Sequence, residues 1–111
     1  MTTPASYEVR LTLGAEGDLQ SLYDHLFEHR SPAQADDLLS ALLEAVESLE
    51  RLPDRGFVPK ELEALGVQDY RQILLPPYRI IYRVIETTVY ILVIADGRRD
   101  MQSLLERRLL R

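Results

Sequence analysis

The chain opens on an alternation of apolar and polar positions with a period of two. In Tyr7-Glu8-Val9-Arg10-Leu11-Thr12-Leu13, residues Tyr7, Val9, Leu11 and Leu13 share one side, the pattern of a half-buried strand that Gly14 ends. The period then lengthens. Leu19, Leu22, Tyr23, Leu26 and Phe27 make one helical stripe, with Glu16 or Asp18 near its start and Arg30 near its end to suit the helix dipole. Ser31-Pro32 predicts a second helix, with Ser as its cap and Pro at its first position. Its stripe runs through Ala35, Leu38, Leu39, Leu42, Leu43, Val46 and Leu49, and Pro53 closes it near Arg51 or Leu52. The short joint makes the two helices an antiparallel hairpin.

Asp54-Arg55-Gly56 reads as a turn, and Glu61 to Leu65 as one helical turn capped by Gly66. Three strand-like runs follow. Tyr70 to Leu75 stops at Pro76-Pro77. Tyr78 to Ile85 is joined to Val89 to Ala95 by the short loop Glu86-Thr87-Thr88. The last run is apolar on both faces, as a central or doubly covered strand must be. Asp100 caps a terminal helix from Met101 to Leu110 with a short stripe of Leu104, Leu105 and Leu109. The elements predict an α+β domain: an N-terminal strand, an antiparallel helical hairpin packed on a mainly antiparallel sheet, and a short C-terminal helix. At 111 residues this is one domain spanning 1–111, with residues 1–6 expected to be flexible.

Composition narrows the chemistry. Apolar residues make up 46% and charged residues 28%, too apolar for a disordered chain. The absence of cysteine excludes a disulfide framework, a thiolate zinc site, a thiol nucleophile and an iron–sulfur cluster. No apolar run reaches the roughly 18–20 residues of a membrane span. The first residues lack the basic and apolar regions of a secretory signal, so a cytoplasmic location is expected. The net charge of −5 is unevenly spread: residues 1–69 hold five Lys/Arg against fourteen Asp/Glu, and residues 70–111 hold eight Arg against four. An acidic total argues against nucleic acid as the main partner. Of the thirteen basic residues only Lys60 is lysine, and arginine suits bidentate pairing with carboxylate as well as phosphate.

Arg79 and Arg83 lie four apart on one strand and share a face. With Arg71 one hairpin earlier and Arg98 and Arg99 after the next strand, five arginines are expected to converge if the strands pair in order. Such a cluster binds phosphate or carboxylate, or stabilises a developing phosphorane. Tyr70, Tyr78, Tyr82 and Tyr90 alternate with arginine, which suits base stacking but is more simply the composition of half-buried strands. His25 and His29 have metal-gripping spacing without a third ligand and read as surface residues, so neither metal nor cofactor is expected. Ser21, Ser40 and Ser48 lack a paired base, and no glycine-rich phosphate loop exists.

Two segments carry a family resemblance. Asp69-Tyr70-Arg71, Pro77-Tyr78-Arg79-Ile80-Ile81-Tyr82-Arg83-Val84, Val89 to Ile94 and Gly97-Arg98-Arg99-Asp100 resemble the RelE/ParE superfamily of bacterial toxins. The first half, with its hairpin broken at Ser31-Pro32 and its Leu52-Pro53-Asp54-Arg55-Gly56 turn, is similar as well, so the resemblance spans about residues 7–106. It implies the toxin of a type II toxin–antitoxin pair, hetero-oligomeric with a cognate antitoxin. RelE-like members cleave mRNA in the ribosomal A site, and ParE-like members inhibit DNA gyrase. In the nuclease reading the resemblance assigns catalysis to Arg79, Arg98 or Arg99, and Arg71. This chain offers only Arg71 on the strand where further basic residues are wanted, and no Tyr, His or Lys from Met101 to Arg111. In-line cleavage needs a base, an acid and charge stabilisation, and arginine supplies only the last. The favoured expectation is therefore a non-enzymatic gyrase inhibitor whose target-binding residues are Arg79, Arg83, Arg98, Arg99, Arg107 and Arg108. A ribosome-dependent endoribonuclease is the alternative, and a purely structural module the third reading.

Overall fold

The computed structural model describes residues 7–110. The element order is β1 (Glu8–Leu11), α1 (Leu13–His29), α2 (Pro32–Glu47), a 3-10 turn (Ser48–Glu50), α3 (Lys60–Glu63), β2 (Arg71–Leu75), β3 (Tyr78–Ile85), β4 (Thr88–Asp96) and α4 (Met101–Leu109). The expected flexibility of residues 1–6 lies outside the described residues. The sheet order is β1-β4-β3-β2, antiparallel except that β1 runs parallel to β4. The fold class expected from the sequence is the one observed.

One boundary differs. The strand ends at Leu11, and Gly14 lies inside α1 rather than before it. Thr12 starts the helix: its Oγ1 accepts from the Ala15 N–H at 3.2 Å and donates to the Ile91 carbonyl at 2.9 Å. Leu13, read as an inward strand residue, is consequently 86% exposed on the first turn. The second helix begins as expected, with Ser31 Oγ accepting from the Gln34 N–H.

The sheet is covered on both faces. On one, Ile80, Tyr82, Ile91 and Ile94 pack against Leu42, Val46 and Leu49 of the hairpin side. On the other, Ile81, Val93 and Ala95 pack against Leu62 beside Leu104 and Leu105 of α4. β4 also carries a bulge. Ile81 pairs with Val93 but Tyr82 pairs with Ile91, which leaves Leu92 as the extra residue on β4. Val89 and Ile91 therefore face the hairpin, and the alternation resumes at Val93 on the opposite side.

Tyr82, fully buried, pins the loop before α3. Its hydroxyl donates to the Pro53 carbonyl at 2.7 Å and accepts from the Gly56 N–H at 3.0 Å. Burial raises its pKa. A Cβ on Gly56 would lie 2.5 Å from that hydroxyl and 2.6 Å from the Gln72 carbonyl oxygen, so only glycine fits. Tyr82→Phe leaves both loop groups without this partner. It is expected to cost about 2 kcal/mol, read by urea unfolding. Gly66, at φ +76°, ends α3 in the left-handed conformation that favours glycine.

Candidate functional site

Of the arginines on β3, Arg79 faces α3. Its Nη1 and Nη2 donate to the two Glu61 carboxylate oxygens at 2.9 and 2.7 Å, and its Nε donates to Gln72 Oε1 at 2.6 Å. The side chains of Arg79 and Glu61 are only 11% and 12% exposed. Hydrogen bonding from Arg79 holds the Glu61 carboxyl below its ordinary pKa, against the opposing effect of burial. Gly97 closes over the arginine stem, since a Cβ there would sit 2.8 Å from Arg79 Cδ. The guanidinium fork is thus already filled from within the chain.

The expected convergence of five arginines is not what the sheet delivers. Arg71 pairs with Tyr82 in the register, which places it on the hairpin face, and its Nη1 donates to the Gly56 carbonyl at 2.8 Å. Side chains alternate across a strand, so a residue opposite Tyr82 points away from Arg79 and Arg83. Arg83 does share the Arg79 face but lies roughly 13 Å along the strand. Its guanidinium carbon stands 5.7 Å from the centre of the Tyr70 ring, within cation–π range.

Arg98 and Arg99 sit at the Arg79 end, in the turn after β4. Arg98 is 76% exposed and bonds Asp96, whose carboxyl is lowered to about 2, chiefly by that hydrogen bond. Arg99 and Arg107 are exposed. Arg107 borders a groove of about 620 Å³ lined with Leu65, Ser103, Glu106 and Leu110. Arg108, one residue on, turns inward. Its guanidinium pairs with both Asp18 oxygens at 3.0 and 3.1 Å and donates to the Leu92 carbonyl at 2.8 Å.

Three partners escaped sequence reading: Glu61, Gln72 and Asp18. Glu61 and Asp18 look like any solvated helix carboxylate, because their arginines lie 18 and 90 residues away. Gln72 carried a signal, an amide directly before the apolar run Ile73-Leu74-Leu75, and among the described residues it is the buried polar one of the sheet. His25 and His29, both exposed on α1, lie with ring centres 4.5 Å apart and the rings tilted by 44°. Among the described residues no group of three or more His, Asp or Glu side chains is placed to hold a metal. No described helix is long and apolar enough to cross a membrane.

Comparison with known proteins places this arrangement. No curated protein matches the chain. A chain of the chromosomal ParDE toxin–antitoxin system from P. aeruginosa superposes with a TM-score of 0.68 at 23% identity, over 81% of this chain and 95% of that one. A chain of the toxin–antitoxin complex RelBE2 from Mycobacterium tuberculosis superposes with a TM-score of 0.60 at 28% identity, over 83% of this chain and 99% of that one. The family model for the ParE toxin of the type II toxin–antitoxin system parDE matches residues 9–101. Since that match takes in both helices of the hairpin, β2 to β4, most of β1 and the first residue of α4, the chain belongs to the ParE toxin family.

Proposed function

We propose that this chain stops growth by binding DNA gyrase in the cytoplasm, and that a cognate antitoxin neutralises it in a hetero-oligomer. The observation that carries the choice of a binding mechanism is the state of Arg79. Its fork is occupied by Glu61 and its Nε by Gln72, so it has no free donor pair for a scissile phosphate. The neighbouring carboxylate is engaged through both oxygens, and an amide does not titrate. His25 and His29 belong to the hairpin, across the sheet from Arg79. Neither group bonded to Arg79 is therefore a free acid or base, although Lys60 and Glu63 border the cleft that Arg79 lines.

Contacts with the target fall to Arg98, Arg99 and Arg107, the exposed cations on the turn before α4 and on α4 itself. Arg79 and Arg108 act at one remove, holding α3 and α4 in place. The purified chain is expected to abolish supercoiling of relaxed plasmid by gyrase. The double variant R99A/R107A is expected to inhibit at least tenfold more weakly with an unchanged unfolding midpoint, because exposed charges contribute little to stability. Supercoiling unaffected by the wild-type chain overturns the proposal.

One observation favours the second reading, ribosome-dependent mRNA cleavage. Arg98 and Arg99 lie at the same end of the sheet as Arg79, so a phosphate that displaced Glu61 would meet several cations. Cleavage of ribosome-bound mRNA by the purified chain, with gyrase untouched, would establish it.

A further inference from the structure

Beside the part of the sheet that α4 covers, a row of side chains runs across β1, β4 and β3 to Tyr70 just before β2. Arg10 of β1 lies opposite Tyr90 of β4, and Tyr90 lies opposite Arg83 of β3. Tyr70, immediately before β2, completes the row beneath the Arg83 guanidinium. The order is arginine, tyrosine, arginine, tyrosine. Elsewhere on this face α4 covers Ile81, Val93 and Ala95. Here Tyr70, Arg83 and Tyr90, with Thr12, Ile85 and Leu92, line an open cleft of about 220 Å³. Ile85 at its rim is 46% exposed.

Arg83 differs from its neighbours in the sheet. Arg10 bonds Glu8, Arg71 the Gly56 carbonyl, and Arg79 bonds Glu61. Among the described residues Arg83 has a ring against it and no acceptor, so its N–H donors are unspent at the edge of an apolar cleft. The cleft is smaller than the roughly 300–1,000 Å³ of small-molecule sites and takes one large apolar side chain. Its surroundings disfavour a polyanion: Arg10 is neutralised by Glu8, and Glu86 stands in the adjoining turn. Nucleic acid binding needs several phosphate contacts, and this surface offers one unpaired cation. A single carboxylate beside an apolar residue matches it in charge and in size.

We propose that this cleft docks a protein partner, taking one leucine- or phenylalanine-sized side chain against Tyr70 and Tyr90 and the carboxylate of an adjacent Asp or Glu on Arg83. The proposal is independent of whether gyrase or the ribosome is the target. It is tested by NMR titration of the full ¹⁵N-labelled chain with the peptide acetyl-Glu-Leu-Glu-Phe-Glu-Leu-amide. Its glutamine analogue and an eight-nucleotide oligothymidylate serve as competing probes. The expected result is saturable shifts at the Arg83 Nε–H and at the Tyr70 and Tyr90 amides. Affinity should fall at least fivefold for the glutamine peptide and at least tenfold for R83Q. Shifts confined to other surfaces, equal affinity for the glutamine peptide, or absence of saturable binding overturn the proposal. Tighter binding of the oligothymidylate at the same residues also overturns it and makes the row a nucleic-acid surface. The comparison of the two peptides uses the wild-type chain, so the test stands even if R83Q fails to fold.

Discussion

Replacing Arg79 with alanine is expected to destabilise the chain by about 3–5 kcal/mol, because Glu61 is left charged and nearly buried without its partner. That is a large share of the roughly 5–15 kcal/mol that holds a domain together. At roughly 4–8 °C per kcal/mol the loss is plain in a thermal melt. Glu61→Ala should behave alike, stranding the guanidinium and leaving only Gln72 to bond it. The double variant Arg79→Met with Glu61→Leu should recover part of the stability, since apolar residues of similar volume fill the site without desolvating charge while buried Gln72 loses its donor. A double variant as unstable as either single one contradicts this.

The same pair, together with Asp96 and Arg98, shapes the acid limb of the stability curve. Glu61 sits below its ordinary 4.5, lowered first by the Arg79 hydrogen bonds, and Asp96 is lowered from 3.8 to about 2, first by Arg98. A carboxyl whose native pKa is depressed adds stability above its unfolded pKa and loses it as the pH falls through the native value. Unfolding free energy should therefore decline from about pH 5 towards pH 2. The Met/Leu double variant should show a shallower decline, measured by urea unfolding across that range.

Asp18→Ala is expected to have the second large effect. β1 pairs with β4 only as far as Ile91, so beyond it the backbone of β4 lacks a neighbouring strand on that side. Side chains take the strand's place. Asp18 Oδ2 accepts from the Ile94 N–H at 2.9 Å, while Arg108, held by Asp18, donates to the Leu92 carbonyl. One carboxylate thus satisfies the bulged edge and ties α1 and α4 to it. Its loss costs about 3 kcal/mol or more, from an unpaired buried N–H and a part-buried guanidinium without its anion. Amide hydrogen exchange at Ile94 should be slow in the wild-type chain and accelerate in the variant beyond what the change in global stability explains. Asp18→Asn, which keeps an acceptor but loses the ion pair, should fall between. Unchanged exchange at Ile94 contradicts this role.

Much of the architecture was legible because burial imposes a period. The Leu38–Leu42–Val46–Leu49 stripe and the alternation along Tyr78 to Ile85 each name their partner face, and Ser31-Pro32 marks a helix start by local hydrogen bonding. The start of α1 was not legible, because Thr12 caps it by bonding Ile91, 79 residues away, while Leu13 extends the strand alternation by coincidence. The continuous apolar run of β4 announced two covered faces, but the bulge at Leu92, which switches the side that Val93 and the residues after it take, left no mark in that run. The arginine cluster was legible as composition but not as geometry. Whether an arginine is free or filled depends on Glu61, Asp18 and Asp96, and pairing across 18 or 90 residues leaves no periodic trace.

Gyrase as the target is tested most directly by pulse labelling after induction of the chain in cells that lack an antitoxin. Incorporation into DNA and into protein is followed in one culture over the first minutes. DNA synthesis falling first, with mRNA intact, is the expected result, in keeping with an Arg79 whose fork is held by Glu61 and whose Nε is held by Gln72. Protein synthesis falling first, with mRNA cut on ribosomes, would contradict it and make the ribosome the target.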